Sequence, residues 1–252
     1  MKNKEEKAPK KKGRIKRKKS VFREYAEAII VALAVALLLR FFVIEAFKIP
    51  SGSMVETLAI GDFIFVNKLS YRTEIPYTAL SIKVPGGGTT LVEWDQPDRG
   101  DVVVFRFPND PTIDYIKRIV ALPGDQVELR RGVLYVNGQE HERRFVREYG
   151  YKSQTCIPEE AKLYVESNGE IEYSVLARVG VQSGENFGPV TIRPGHFFAM
   201  GDNRDNSSDS RVFGQAPIEN IKGRAMFVWL SLDNCNSWFG KIRWSRFFQG
   251  VH

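Results

Sequence analysis

The order of hydrophobic and polar positions divides the chain into three regimes. Residues 1–19 are rich in lysine, nearly without apolar side chains and contain a proline, so they cannot bury a core and a disordered tail is expected. From Ala28 to Leu39 the chain is apolar without a charge, and after a single Arg40 it continues through Phe41-Phe42-Val43-Ile44. Ala28 to Ile44 is 17 residues, the short end of what crosses a hydrocarbon core about 30 Å thick. Arg40 lies near the distal end, where its long stem can carry the charge to the interface. Beyond this run the pattern turns to β structure. Asp62-Phe63-Ile64-Phe65-Val66 and Asp101-Val102-Val103-Val104-Phe105-Arg106-Phe107 are rich in β-branched and aromatic residues and predict strands. Asp114 to Leu122 continues the pattern until Pro123-Gly124-Asp125 turns it. Val127–Leu129 and Val133–Val136, parted by a short turn with Gly132, predict a hairpin. Leu163–Glu166 and Ile171–Val175 flank Asn168-Gly169, a favoured hairpin pair. Three glycines at 86–88 predict a mobile loop over 83–98, and residues 138–190 read as an inserted, irregular β region. No second long amphipathic helix and no internal repeat is evident. The expected organisation is a mainly β fold: a basic tail over 1–25, an apolar helix over 26–45 and a β domain over 46–252.

Charge sharpens this picture. The net charge is +7, but residues 1–19 hold 11 Lys/Arg and 2 Glu, leaving 26 Lys/Arg against 28 Asp/Glu in the rest. The basicity belongs to the tail. The body has no excess of positive charge to offer a nucleic acid, so nucleic-acid binding is not expected. Lysines followed by an apolar run also describe a cleavable signal peptide. The long tail and the lack of a clean small-x-small site after the run favour a retained signal anchor. The positive-inside rule then puts the N-terminus in the cytoplasm and the body across the inner membrane, on the periplasmic or extracytoplasmic side. Near the C-terminus, Trp238-Phe239-Gly240-Lys241-Ile242-Arg243-Trp244-Ser245-Arg246-Phe247-Phe248 mixes aromatics with cations, a composition suited to a bilayer face or to a packed terminal strand. Cys156 and Cys235 are the only cysteines, with no CxxC and no nearby histidine pair, which argues against zinc. They could form a disulfide or sit as two small buried hydrophobes.

Candidate chemistry starts at Pro50-Ser51-Gly52-Ser53-Met54, just after the apolar run. Ser-Gly-Ser is a common turn, and a serine hydroxyl becomes a nucleophile only with a base in hydrogen-bond reach and donors for the developing oxyanion. Lys117, between Ile116 and Arg118, reads either as a solvent-facing lysine or as an amine walled by apolar neighbours. In the second case desolvation lowers its pKa and frees a neutral base, as in serine–lysine variants of the serine–histidine arrangement. His141, His196 and His252 lack the neighbours expected of a triad. Gly201-Asp202-Asn203-Arg204-Asp205-Asn206-Ser207-Ser208-Asp209-Ser210-Arg211 fails the EF-hand pattern, with no glycine at its sixth position and no glutamate at its twelfth. It reads better as a buried network able to hold the amine through a hydroxyl such as Ser207.

Together and in this order, these stretches resemble the bacterial type I signal peptidases, membrane-bound enzymes that remove signal peptides from exported proteins. Residues 51–58 match the family's serine box, S-G-S-M-x-P-T-L, at seven of eight places, and the segments around Lys117 and over 201–211 match without a break. The resemblance implies a β-rich fold with no metal or organic cofactor, acting on preprotein signal peptides at a lipid bilayer. It implies Ser53 as nucleophile and Lys117 as general base, with the Ser51 hydroxyl and the Ser53 amide in an oxyanion hole. Ser207 would orient Lys117, and Asp209 with Arg211 would form a supporting ion pair beside Asp205. Phe47, Ile49, Pro50, Val104, Tyr115 and Ile116 match positions lining pockets for small residues at P1 and P3, hence cleavage after Ala-x-Ala-like sites.

One departure matters. Glu56 stands where the family has proline. A carboxylate approaching Lys117 would favour the ammonium and impair the base, whereas one facing solvent would change little. A catalytically weakened homologue that binds peptides or acts as a membrane scaffold is therefore the competing expectation. A self-cleaving repressor-like protein would need a DNA-binding head where this chain has a tail and an anchor.

Overall fold

Strands rich in β-branched and aromatic residues build most of the structure, a computed structural model that describes residues 21–74, 90–93, 95–180, 186–236 and 241–252. Helix α1 (Val21–Phe42) leads into β1 (Ile44–Lys48), β2 (Asp62–Asn67), β3 (Arg72–Glu74), β4 (Thr90–Glu93), β5 (Val102–Phe107) and β6 (Asp110–Ala121). Then come β7 (Gln126–Arg130), β8 (Val133–Val136), β9 (Gln139–Glu140), β10 (Glu142–Lys152), β11 (Pro158–Ser167) and β12 (Glu172–Arg178). The chain continues with β13 (Phe187–Thr191), β14 (His196–Met200), the short helix α2 (Ser210–Phe213), β15 (Ala216–Pro217) and β16 (Ile221–Ser231). It divides into two units, Met1–Leu38 and Leu39–His252.

In the second unit a seven-stranded sheet runs in the order β1-β2-β16-β5-β6-β14-β15. Its centre is β5, whose Val102, Val103, Val104 and Phe105 are all buried, because the sheet is covered on both faces. Side chains alternate between faces along a strand. Val102 and Val104 accordingly join Ile49, Met54, Leu58, Ile64 and Val66 in one cluster, while Val103 and Phe105 join Ile119, Phe197 and Ile221 in another. Each such fully buried aliphatic side chain contributes roughly 1.5–3 kcal/mol. The β7–β8 hairpin closes through Arg131 and Gly132, at φ 49° and 78°, the positive values a two-residue turn of this kind requires. The β11–β12 hairpin forms around Asn168, whose side-chain oxygen accepts the Glu170 and Ile171 amides at 2.9 Å each.

Three expectations are corrected. Residues 142–178 are an ordered antiparallel sheet, β10-β11-β12, and not an irregular region. The pattern misleads because β10 is an edge strand, largely exposed, with a register shift between Phe145 and Arg147 that interrupts alternation. The loop expected at 83–98 lies in part outside the described residues, but Thr90–Glu93 within it pairs with Arg72–Glu74. As for the anchor over 26–45, Ile44 and Glu45 belong to β1, and no helix among the described residues is long and apolar enough to cross a membrane. The uncharged stretch Ala28–Leu39 of α1 rises about 18 Å, against a hydrocarbon core of about 30 Å. Its apolar side chains nonetheless face outward on every side, Ile29, Ile30 and Val31 each being more than 60% exposed.

Candidate active site

The loop carrying Ser53 leaves β1 and returns into β2. Its ends are tied together, Ile49 N–H donating to Asp62 O at 2.8 Å and Gly61 N–H to Ile49 O at 2.9 Å. Apolar residues Met54, Val55 and Leu58 are buried and hold it against the sheet. Asp62, fully buried, gathers Ser231, Arg243 and Arg246, and Arg246 also donates to Thr57 O at 3.0 Å. Lys117 comes from β6. Its Nζ lies 2.8 Å from Ser53 Oγ and 2.8 Å from Ile116 O. Both side chains are buried, Ser53 at 6% and Lys117 at 4% exposure. Burial pushes the Lys117 amine down to about 8, overriding the opposing pull of the Asp209 and Asp202 carboxylates. At pH 7 such an amine is neutral in about one molecule in ten, roughly 300 times more often than an ordinary lysine near 10.5.

The segment over 201–211 wraps behind this pair. Gly201 is required there, since a Cβ would lie 2.6 Å from Ser53 O and closer still to Ser207 Oγ. Arg118 and Asp202 form a buried two-point ion pair, at 2.9 and 2.7 Å, and Asp202 also accepts from Thr57 Oγ1 at 2.5 Å. Asp209 binds Arg211 at 2.8 Å through both carboxylate oxygens and takes the Gly201 amide at 3.0 Å. Burial opposes its ionisation, yet the Arg211 guanidinium keeps its carboxyl below the usual range. Asp205 accepts the Arg178 amide at 2.9 Å. Ser207 Oγ is buried beside Asp209, whose carboxyl its hydroxyl helps to hold low, while the Lys117 amine donates to Ile116 O and Ser53 Oγ.

Ser51 is exposed, its Oγ 3.5 Å from Ser53 Oγ. Ile49 and Val104 are core residues beside Met54, with Phe47 and Ile116 packed against the same cluster. Tyr115 is set apart, stacked on Phe107 at 4.5 Å, with Lys117 Nζ 5.2 Å from its ring centre. Pro50 is exposed, and its carbonyl accepts from the Gln154 side chain. The Glu56 carboxylate lies 3.9 Å from Arg147 and is not among the charges acting on Lys117. Two features went unread in the sequence and a third was left open. Glu166 and Arg204 form a buried pair at 2.6 and 2.7 Å. Asn203 and Tyr151 bond each other at 2.9 Å. Cys156 and Cys235, left open between pairing and burial, are joined in a disulfide with Cα atoms 5.5 Å apart. Only Arg204 and Asn203 stood in a stretch already marked as polar-rich.

A buried amine at 2.8 Å from a buried serine hydroxyl, on a β scaffold, is the equipment of a hydrolase that activates serine without histidine. The family model described as "Signal peptidase, peptidase S26" matches residues 22–230, and the chain belongs to that family, a serine-type peptidase. A signal peptidase I of Pseudomonas fluorescens is 39% identical over 219 residues, covering 82% of this chain and 72% of the relative. One from Rickettsia typhi is 34% identical over 264 residues, 94% of this chain and 96% of the relative. A crystal structure of a signal peptidase I from Enterococcus faecalis V583 is 23% identical with a TM-score of 0.30, covering 52% of this chain and 97% of its own.

Proposed function

We propose that this chain is a membrane-held serine endopeptidase that removes N-terminal signal peptides from exported preproteins after small-x-small sites. The observation carrying this reading is the 2.8 Å approach of the Lys117 amine, with its depressed pKa, to Ser53 Oγ. As Oγ attacks the scissile carbonyl carbon, its proton passes to neutral Nζ. The tetrahedral oxyanion is received by the Ser53 amide and the Ser51 hydroxyl. The ammonium returns the proton to the leaving amine and the C–N bond breaks, leaving the peptide acyl on Ser53. A water molecule then gives its proton to Nζ and attacks the ester, and Oγ leaves with the proton that Nζ returns. The Asp209–Arg211 pair and the Arg118–Asp202 pair supply the fixed charges around the amine. Burial outweighs the two carboxylates, so the base remains available near neutral pH. Small P1 and P3 residues suit a site whose floor is the close-packed core of Ile49 and Val104, with partly buried Phe47 and Ile116 packed against it.

The scaffold alternative rested on Glu56, and with that carboxylate beside Arg147 nothing favours it. Membrane attachment is supported by the outward apolar surface of α1, with Phe41–Ile44 prolonging its uncharged run past Arg40, and by the basic tail before it. The exposed Trp244 and Phe248, at 72% and 76%, suit a bilayer face, while Trp238–Gly240 lie outside the described residues. A disulfide suits a body on the extracytoplasmic side, with the N-terminus cytoplasmic. The test is to incubate the detergent-solubilised protein with a preprotein and sequence the new N-terminus. Cleavage after an Ala-x-Ala-like site, abolished by Ser53→Ala with the fold kept, is expected. Ser53→Ala retaining more than a few per cent of turnover refutes the reading.

A further inference from the structure

Asn203 holds the nucleophile's backbone at two points. Its N–H donates to Ser53 O at 3.0 Å, and its side-chain Nδ2 donates to Gly52 O at 2.9 Å. Gly52 C=O and Ser53 N–H belong to one planar trans peptide unit, in which carbonyl and N–H point in opposite directions. Whatever fixes Gly52 O therefore fixes the direction of the Ser53 N–H. The Asn203 side chain is fully buried, and its second Nδ2 proton goes to Tyr151 Oη at 2.9 Å. Tyr151, on β10, donates in turn to Glu159 Oε2 at 2.8 Å, and Glu159 is its cross-strand partner on β11. Arg178 on β12 pairs with the same carboxylate oxygen, with Nε at 3.1 Å. The inserted sheet thus ends, through one tyrosine hydroxyl, on the peptide plane that precedes Ser53.

We propose that Tyr151 is a positioning residue for the Ser53 amide as oxyanion donor, acting through Asn203. This rests on the Ser53/Lys117 reading above. With the hydroxyl in place, the carboxamide of Asn203 is locked with Nδ2 toward Gly52 O. Without it, nothing on that side of the carboxamide distinguishes Nδ2 from Oδ1, which has no partner of its own, and a rotated carboxamide would turn an acceptor toward a carbonyl. The inserted sheet is then part of the catalytic apparatus and not an appendage.

The experiment compares Tyr151→Phe and Asn203→Ala in the full-length protein, with Ser53→Ala alongside. Removing an oxyanion donor outright costs about 100- to 1000-fold in kcat. Asn203→Ala is expected to approach the lower figure, and Tyr151→Phe, which only loosens the aim, to lose about tenfold. KM should stay within twofold. The pH midpoint of kcat should not move, because the Asp209 and Asp202 carboxylates and the burial that act on Lys117 are untouched. A peptide aldehyde, which closes on Ser53 as a tetrahedral adduct, should weaken by the same factor as kcat/KM. Wild-type kcat in Tyr151→Phe, or a loss confined to KM with aldehyde affinity unchanged, overturns the proposal. If Asn203→Ala does not fold, Tyr151→Phe decides, since it removes one oxygen from a partly buried ring. An active Ser53→Ala would bring down the underlying reading as well, whereas an inactive Ser53→Ala with an unaffected Tyr151→Phe refutes this inference alone.

Discussion

Replacing Lys117 by methionine should abolish cleavage and at the same time make the protein more stable. Methionine has a similar length and no charge to desolvate. The depression of the amine from 10.5 to about 8 measures the cost of burying its charge, about 3 kcal/mol at about 1.4 kcal/mol per unit. With Lys117 only 4% exposed, solvent screening takes little from that figure. Ser53 Oγ and Ile116 O lose a partner in the variant, which returns about 1 kcal/mol. The net gain of about 2 kcal/mol corresponds to a melting point roughly 4–8 °C higher for a chain of this size. Its sign depends on pH. Below about pH 8 folded and unfolded chains both carry the ammonium, and only the folded one buries it, so the gain is complete. Between about 8 and 10.5 the folded amine is neutral while the unfolded one still binds a proton, and the gain fades; above that both are neutral. Thermal unfolding of wild type and Lys117→Met in detergent from pH 6 to 11 measures this directly. An unchanged or lower melting point at pH 7, or a gain that persists undiminished to pH 11, refutes the argument that burial sets the amine's pKa.

Wild-type kcat should rise about 90-fold from pH 6 to 9 and level off, following the neutral fraction of an amine near 8; an unperturbed lysine would give about 1000-fold with no plateau. Opening the Cys156–Cys235 bond, which closes a separation of 79 residues, should lower stability by about 4.5 kcal/mol in the chain-entropy model, read as a denaturant midpoint with and without reductant. A loss under about 1 kcal/mol would mean that the tip of the β10–β11 hairpin is held by other contacts. Removing residues 1–42 should slow cleavage of membrane-bound preprotein at least tenfold more than cleavage of a short soluble peptide, because a shared bilayer raises effective concentration. Equal losses would show that this segment does not position the site.

What could be read in the sequence was local. Val102–Phe107 and Asp62–Val66 announced themselves by composition, Asn168-Gly169 by turn chemistry, and Ser53, Lys117, Asp209 and Arg211 by motif. What could not be read depends on partners far along the chain. Glu166 looks like a solvent-facing residue of a strand until Arg204, 38 positions on, buries it. Tyr151 lies in a strand whose alternation is broken by a bulge, and its hydroxyl acquires meaning only when Asn203 arrives from another motif. The uncharged run after Ala28 was legible as apolar, but its division between a helix ending at Phe42 and a strand beginning at Ile44 was not, since hydrophobicity alone does not select between the two.

The strand order carries a further consequence, for timing. Ser53 follows β1 and precedes β2, whereas Lys117 lies on β6, and the strand that joins β2 to β5 is β16, the last long strand of the chain. Until residues 221–231 have entered the gap, Ser53 and Lys117 belong to two sheet fragments with no shared ladder between them. A chain synthesised from its N-terminus therefore presents Ser53 early and Lys117 soon after, but the 2.8 Å approach of amine to hydroxyl awaits the pairing of β16 with β2 and β5.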